Sequence, residues 1–132
     1  MLVVLDTNIL VSALMSKNGT PAKIVSLMLT GQLIPCFDFR IINEYIEVLH
    51  RPKFDFSDGE INSLMEWIEC YGRSVIVDPL DDILIDESDK KFYEVALACS
   101  AILITGNLKR YPNHPNIMNA ASFLDKWNLR IK

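Results

Sequence analysis

Short unbroken apolar runs alternate along this chain with longer runs that have helical spacing. Four of the short runs, at residues 2–5, 33–37, 75–77 and 102–104, end at a polar residue. Continuous apolar runs of this length are typical of strands buried on both faces of a parallel sheet, because a half-exposed strand would alternate. Residues 117–118 are predicted to form a further, short edge strand.

The segments between these runs carry the start and stop signals of helices. Ser57 and Glu60 have the spacing of a capping box, Pro52 ends the preceding helix, and Gly72 ends the following one. These signals and the apolar spacing predict helices near residues 9–15, 20–30, 40–50, 58–71, 88–100 and 120–128. The third and fourth helices form an αα-hairpin over residues 40–72, and residues 79–87 are predicted as a loop.

Strands that alternate with helices predict an α/β protein, with three α/β/α layers around a parallel sheet of four to five strands in a Rossmann-like topology. The chain has 132 residues, half of them hydrophobic, which suits one core and a single domain over residues 1–132. The longest near-apolar run, residues 95–104, is about half of the ~20 residues that a membrane span needs. With no basic leader and no paired cysteine motif, we expect a cytoplasmic protein whose Cys36, Cys70 and Cys99 are reduced and buried.

Charge is unevenly distributed. The net charge of −4 does not indicate a nucleic-acid-binding protein by itself. However, residues 78–89 include six acids and no base, whereas seven lysines and arginines but only Glu94 and Asp125 follow from residue 90 onward. The net charge does not reveal this separation of acidic and basic segments, and the basic segment is available for phosphate groups.

Asp6 follows the first predicted strand directly. Ligands of open α/β sheets bind outside the carboxyl ends of the strands, so an acid at this edge is a candidate site residue. The competing interpretation is structural, because Asp6, Thr7 and Asn8 are all good N-caps for the helix that comes next.

Helical geometry separates the acids on the third and fifth helices. Glu44 lies on the margin of the apolar arc of its helix, whereas Glu47 lies opposite the centre of that arc. Asp89 lies within the buried arc of the fifth helix, and Glu94 is predicted to point the opposite way. A solvated boundary position for Glu44 and a favourable interaction of Asp89 with the helix dipole are the structural alternatives.

The predicted topology gathers four oxygen-bearing side chains at one edge of the sheet, namely Asp6, Glu44, Asp89 and Asn107. Three carboxylates without histidine or cysteine are a hard-oxygen set that suits Mg²⁺ or Mn²⁺. Such a metal lowers the pKa of a bound water and neutralises charge on a phosphate, which suits phosphodiester hydrolysis. Lys109 and Arg110 could hold the flanking phosphates of a nucleic acid.

The sequence resembles the PIN domain family over essentially its whole length. The resemblance lies in VLDTN at 4–8, Glu44 in the helix that leads to VLHRPKF at 48–54, DESDKKFYEVA at 86–96, and ITGN at 104–107. The most similar branch comprises small prokaryotic VapC-type toxins of toxin–antitoxin pairs.

The resemblance implies a metal-dependent endoribonuclease with a PIN-like fold, an RNA substrate, an antitoxin partner and a homodimeric assembly. Asp6, Glu44 and Asp89 match the metal-binding catalytic acids of the family. Asn107 stands where many members have a further Asp, so we expect it to be a weaker ligand of Mg²⁺ or Mn²⁺. The substrate is expected to contact Thr7, Asn8, Thr105, Lys109 and Arg110.

The alternative function is a PIN-like module that binds RNA or protein and has lost efficient cleavage, because an amide at residue 107 supplies no charge. A phosphatase of the haloacid dehalogenase type would need a second acid where Asn8 stands. A purely structural dimerisation domain would not explain an acid such as Asp89 on a buried helix face. The apolar hairpin at residues 40–72 is the expected docking surface for an antitoxin, with a homodimer interface as its alternative role.

Overall fold

The computed structural model describes residues 1–78, 80 and 85–130. Within the predicted loop at 79–87, positions 79 and 81–84 lie outside the described residues. The elements in chain order are β1 Leu2–Leu5, α1 Thr7–Met15, α2 Thr20–Leu29, β2 Ile34–Phe37, α3 Phe39–Leu49, α4 Asp58–Tyr71, β3 Arg73–Ser74, α5 Glu87–Cys99, β4 Ile102–Ile104, β5 Ile117–Met118 and α6 Ala120–Arg130. Two 3₁₀ turns, Pro52–Phe54 and Leu108–Arg110, follow α3 and β4.

The five strands form one parallel sheet in the order β3-β2-β1-β4-β5. β1 lies at its centre, with Leu5 paired to Ile104 of β4, and Val3 and Val4 are completely buried. α5 packs on β1, β2 and β4, while α1, α2 and α6 pack on one another in sequence. The predicted α/β sandwich around a parallel sheet of four to five strands is confirmed, including the edge position of β5.

The third strand differs from its prediction. Pairing with β2 begins at Arg73, opposite Cys36, and the apolar run at 75–77 follows the strand instead of forming it. Gly72 explains the early start, because a Cβ atom there would lie 2.4 Å from the Ile68 carbonyl oxygen and 2.6 Å from that of Pro35. The chain therefore leaves α4 already in contact with β2, and Ile76 is left fully exposed.

Helix starts follow the capping signals with small shifts. Asp38 caps α3 by accepting a hydrogen bond from the Ile41 N–H, and Ser57 caps α4 by accepting one from the Glu60 N–H. α5 begins at Glu87, one residue before the predicted start at residue 88, and Asp86 precedes it as its N-cap. Among the described helices, none has the length and apolar character of a membrane span.

The cysteine prediction is only partly right. Cys36 is buried and Cys99 is half-buried, but Cys70 is exposed, because it lies on the outward face of α4 two residues after the buried Ile68. Burial, with the neighbouring Cys99, raises the pKa of Cys36 to about 12. The Cys36 thiol is therefore protonated and unreactive at neutral pH.

Glu94 is buried, which corrects the prediction that it points away from the core. Its Oε1 lies 2.8 Å from Arg40 Nη1, and its Oε2 accepts a hydrogen bond from the Leu80 N–H. Arg40 also contacts Asp38, with Nη2 2.7 Å from Oδ2. Helical spacing alone did not predict the burial of Glu94, because this face of α5 is covered by Arg40 of α3 and by the segment after β3.

We expect Arg40→Leu to lower the free energy of unfolding by about 2–4 kcal/mol, because it leaves the Glu94 carboxylate buried without its counter-ion. We expect a smaller loss of stability than for a fully buried ion pair, because the Arg40 side chain is 30% exposed. Arg51→Leu is the control: Arg51 pairs with Glu47 at 3.0 Å on the surface of the protein. Its removal should cost less than about 1 kcal/mol. Equal effects in urea unfolding would contradict a structural role for the buried pair.

Candidate active site

Asp6, Glu44 and Asp89 line one cleft of about 420 Å³ at the carboxyl end of β1. They come from the end of β1, from α3 and from the first turn of α5. The cleft also includes Arg51 and Arg110. Carboxylates from three separate segments thus face the same solvent-accessible space.

Asp6 is buried and held by side chains that follow β4. Its Oδ2 accepts hydrogen bonds from Thr105 Oγ1 at 2.8 Å and from the Tyr111 hydroxyl at 2.9 Å. Asp6 precedes α1 as its N-cap, yet its carboxylate makes no capping hydrogen bond. The structural interpretation of this carboxylate as a helix cap is therefore wrong.

Tyr111 was not identified from the sequence. It follows the 3₁₀ turn Leu108–Arg110 in a loop rich in proline and asparagine, and no spacing rule connects it with residue 6. Burial, and then the charge of Asp6, raise the pKa of Tyr111 above its ordinary value. The Tyr111 hydroxyl therefore keeps its proton and remains a donor to Asp6.

Glu44 has both of its oxygens occupied by groups of the protein. Thr7 Oγ1 donates to Oε2, and Lys91 Nζ lies 2.8 Å from Oε1. The next residue, Tyr45, donates its hydroxyl to the Leu5 carbonyl, which fixes α3 against the end of β1. Glu47 is exposed, as the helical geometry predicted.

Asp89 is buried in the first turn of α5, with its Oδ1 3.7 Å from Arg110 Nη1. Burial raises the pKa of Asp89, and the charges of Asp6 and Asp86 act in the same direction, while Arg110 and Lys91 oppose them. The net direction shows that the surroundings disfavour the ionised form of this carboxyl group.

The donor set fits a hard divalent cation, because three carboxylates on one cleft are the ligands that Mg²⁺ and Mn²⁺ prefer. Across residues 1–78, 80 and 85–130, however, no three acidic, histidine or cysteine side chains are drawn together into a ready metal site. Each cleft acid is instead engaged by donors or cations of the protein itself.

The other predicted site residues divide into two groups. Thr7, Asn8 and Arg110 line the cleft, and Asn8 Oδ1 accepts a hydrogen bond from the Gly106 N–H at 2.9 Å. Thr105 is completely buried and positions Asp6, so it does not face a substrate in this structure.

Lys109 and Asn107 are not among the lining residues of the cleft. The Asn107 N–H donates to Thr105 Oγ1 at 3.0 Å, and its side chain is half-buried. Its role as a metal ligand stays a prediction. The sequence also gave no indication that Ser88, Arg51 and Phe54 border the cleft, because that depends on how α3, α5 and the turn at Pro52–Phe54 pack together.

The raised pKa of Asp89 predicts how the stability of the metal-free protein depends on pH. Between the unfolded and folded pKa values the folded state binds more protons, so the free energy of unfolding falls as pH rises through that interval. Asp89→Asn should therefore be more stable than wild type above the folded pKa, and the difference should disappear as pH falls.

Urea unfolding in the presence of a chelator, from acidic to neutral pH, measures this difference. Asp125→Asn, on the exposed face of α6, is the control and should change the free energy of unfolding by less than about 0.5 kcal/mol. A less stable Asp89→Asn at neutral pH would mean that Arg110 stabilises the ionised form more than burial penalises it.

Comparison with known proteins agrees with this fold. A family model described as PIN domain matches residues 2–109. The chain is 33% identical over 108 residues to the uncharacterized protein MJ1680 of Methanocaldococcus jannaschii, covering 80% of this chain and 70% of that protein. The structure of VapBC2 from Rickettsia felis bound to a DNA fragment from their promoter is similar in fold, with a TM-score of 0.57, 18% identity, and coverage of 90% of this chain and 97% of the other. The chain belongs to the PIN domain family.

Proposed function

We propose that this protein is a metal-dependent endoribonuclease that hydrolyses RNA phosphodiester bonds as the toxin of a toxin–antitoxin pair. The observation that carries the proposal is the meeting of Asp6, Glu44 and Asp89 on one cleft at the carboxyl edge of the sheet. Membership of the PIN domain family and the fold shared with VapBC2 support it. The cleft lies at the carboxyl end of the central strand β1. Open α/β sheets bind their ligands at this end of their strands.

Asp6, Glu44 and Asp89 would hold Mg²⁺ or Mn²⁺, with Asn107 as a weaker candidate ligand. When bound, the metal supplies a more acidic water and positive charge for the phosphate. Thr105 and Tyr111 orient Asp6, and because both donate to Oδ2, they leave Oδ1 without a donor from the described residues. This arrangement fixes the direction in which Asp6 presents its remaining oxygen.

Cations and one aromatic ring on the cleft suit RNA. Arg51 and Arg110 line it beside the acids, and both side chains are about half-exposed, so they can reach a phosphate. Phe54 also borders the cleft and offers a face on which a base can stack. Lys109, exposed in the same loop as Arg110, extends the basic surface.

Cleavage of single-stranded RNA with Mg²⁺ or Mn²⁺ tests the enzyme directly. Glu44→Gln and Asp89→Asn should each lower the rate by about 100-fold or more, because a metal contributes several kcal/mol and each ~1.4 kcal/mol is tenfold. Glu69→Gln, on the exposed face of α4, is the matched control and should keep the wild-type rate.

The outcomes separate the two functions considered for this chain. RNA binding without cleavage in either metal would favour the non-cleaving RNA-binding module. Recovery of cleavage in Asn107→Asp would then identify the missing charge at that position as the cause. Equal loss of activity in Glu44→Gln and Glu69→Gln would remove the assignment of Glu44 to the site.

The proposed antitoxin docks on an apolar groove of about 540 Å³ beside the hairpin at residues 40–72. Leu64 and Trp67 of α4 form one wall, and Leu14, Val25 and Leu29 of α1 and α2 form the other. An amphipathic helix is the segment that such a groove accepts. Phe39, the first residue of α3, and Tyr71, the last residue of α4, are both exposed. They provide the surface for the proposed homodimer.

If a small antitoxin is encoded beside this gene, Leu29→Arg should weaken its binding by about tenfold or more, while RNA cleavage by the free protein stays unchanged. The matched control is Leu97→Arg, since both leucines are 43% exposed but Leu97 lies on α5, outside the groove. Calorimetric titration measures the affinity, and native mass spectrometry counts the subunits. Equal affinity in the two variants would exclude the groove as the docking site.

A further inference from the structure

We propose that Lys91 is an internal cation paired with Oε1 of Glu44, so that a divalent metal binds at Glu44 by displacing the Lys91 ammonium group. The inference rests on the proposed function, because it concerns the same cleft and the same metal. It adds a residue that regulates metal loading, and this residue lies outside the proposed ligand set.

Lys91 is held in the site and is not a mobile surface lysine. Its Nζ lies 2.8 Å from Glu44 Oε1, it donates to the Ser88 carbonyl, and it lies 5.0 Å from the centre of the Phe92 ring. The side chain is only 11% exposed. Three contacts on a nearly buried ammonium group hold it in one position next to the carboxylate.

Each oxygen of Glu44 has a partner within the protein, and one of these partners is a cation. Thr7 donates to Oε2, and Lys91 is bound to Oε1. Asp6 differs, because both of its donors share Oδ2. Thus Glu44 is the cleft acid whose charge is already paired with a nearly buried cation, and a divalent metal at this carboxylate must compete with that cation.

Arg110 is a weaker candidate for the same role. It lies 3.7 Å from Asp89, beyond hydrogen-bonding distance, and its side chain is half-exposed. An exposed and loosely placed cation is screened by water, whereas the nearly buried Lys91 is not. Displacement of Lys91 should therefore dominate the electrostatic cost of metal entry.

When a binding-competent state is only a fraction of the population, the apparent affinity falls by that fraction. If Lys91 occupies Glu44 in roughly nine molecules of ten, metal binding is weakened about tenfold. The chain thereby limits its own metal occupancy at low metal concentrations.

Calorimetric titration of Mn²⁺ into Lys91→Met tests the displacement. Methionine keeps an unbranched stem for the Phe92 ring and removes the ammonium group, so the affinity should rise about tenfold over wild type. Lys90→Met removes the same charge from the next residue, whose Nζ lies 3.0 Å from the exposed Glu87. If displacement matters and not overall charge, Lys90→Met should change the affinity by less than about twofold.

A second measurement observes the Lys91 ammonium group directly in the wild-type protein. In wild-type protein labelled with ¹⁵N, the ammonium resonance of Lys91 should be visible because the ion pair slows its exchange with water. It should disappear when diamagnetic Mg²⁺ saturates the site. The resonance is assigned by its absence from Lys91→Gln or Lys91→Met, whichever is folded.

Two different failures can be distinguished. Wild-type protein that binds Mn²⁺, combined with unchanged affinity in Lys91→Met and an ammonium resonance that persists with Mg²⁺, would overturn the displacement and leave the proposed nuclease intact. No Mn²⁺ binding by either wild type or Lys91→Met would overturn the metal site, and the displacement with it. Binding by Lys91→Met alone would support the displacement in its strongest form.

Discussion

The cost of burying carboxylates organises this protein, because four acids in the part of the chain that the structure describes are buried and each needs a partner. They are Asp6, Asp38, Asp89 and Glu94. A buried charge without compensation costs several kcal/mol, a large fraction of the stability of a domain. Asp38 and Glu94 share one guanidinium group, that of Arg40, and each also accepts a backbone N–H, from Ile41 and from Leu80. Each of these two acids therefore has both a cation and a backbone donor within hydrogen-bonding distance, and both belong to the framework.

The cleft acids are compensated differently. The recorded donors to Asp6 are two hydroxyl groups, which carry no charge, and Asp89 faces a cation beyond hydrogen-bonding distance. The raised pKa of Asp89, caused first by its burial, is the electrostatic consequence. Incomplete compensation is unfavourable for the metal-free fold, and it is the condition under which a divalent cation adds most to the stability of the folded state. Glu94 and Asp89 are both buried on α5, but Glu94 lies 2.8 Å from its cation, whereas Asp89 lies 3.7 Å from its own.

Sequence patterns predicted the acids whose position depends on local geometry. Asp6 follows a fully apolar strand, and Glu44 lies on the margin of an apolar arc, so strand ends and helical angles sufficed. They failed for Glu94, because its burial depends on Arg40 from another helix and on the segment after β3. They also failed for Tyr111 and for the register of β3. Tyr111 reaches Asp6 across 105 positions of sequence, and β3 is set by the close approach of Gly72 to Pro35. Contacts of this kind depend on tertiary packing and leave no periodic signal.

Two ion pairs connect α3 and α5. One of them belongs to the structural framework, and the other includes a residue of the candidate site. Arg40 contacts Glu94, and Glu44, one turn further along α3, contacts Lys91, three residues earlier on α5. The two helices therefore run antiparallel where they touch. The first pair is enclosed by Asp38 and the Leu80 N–H, so it can hold the helices in place whatever occupies the cleft. The second pair includes Glu44, which lines the cleft, so a rotation of the Lys91 side chain can open this pair without movement of either helix. Exchange of a cation at Glu44 then requires a change of the Lys91 rotamer and not a change of fold.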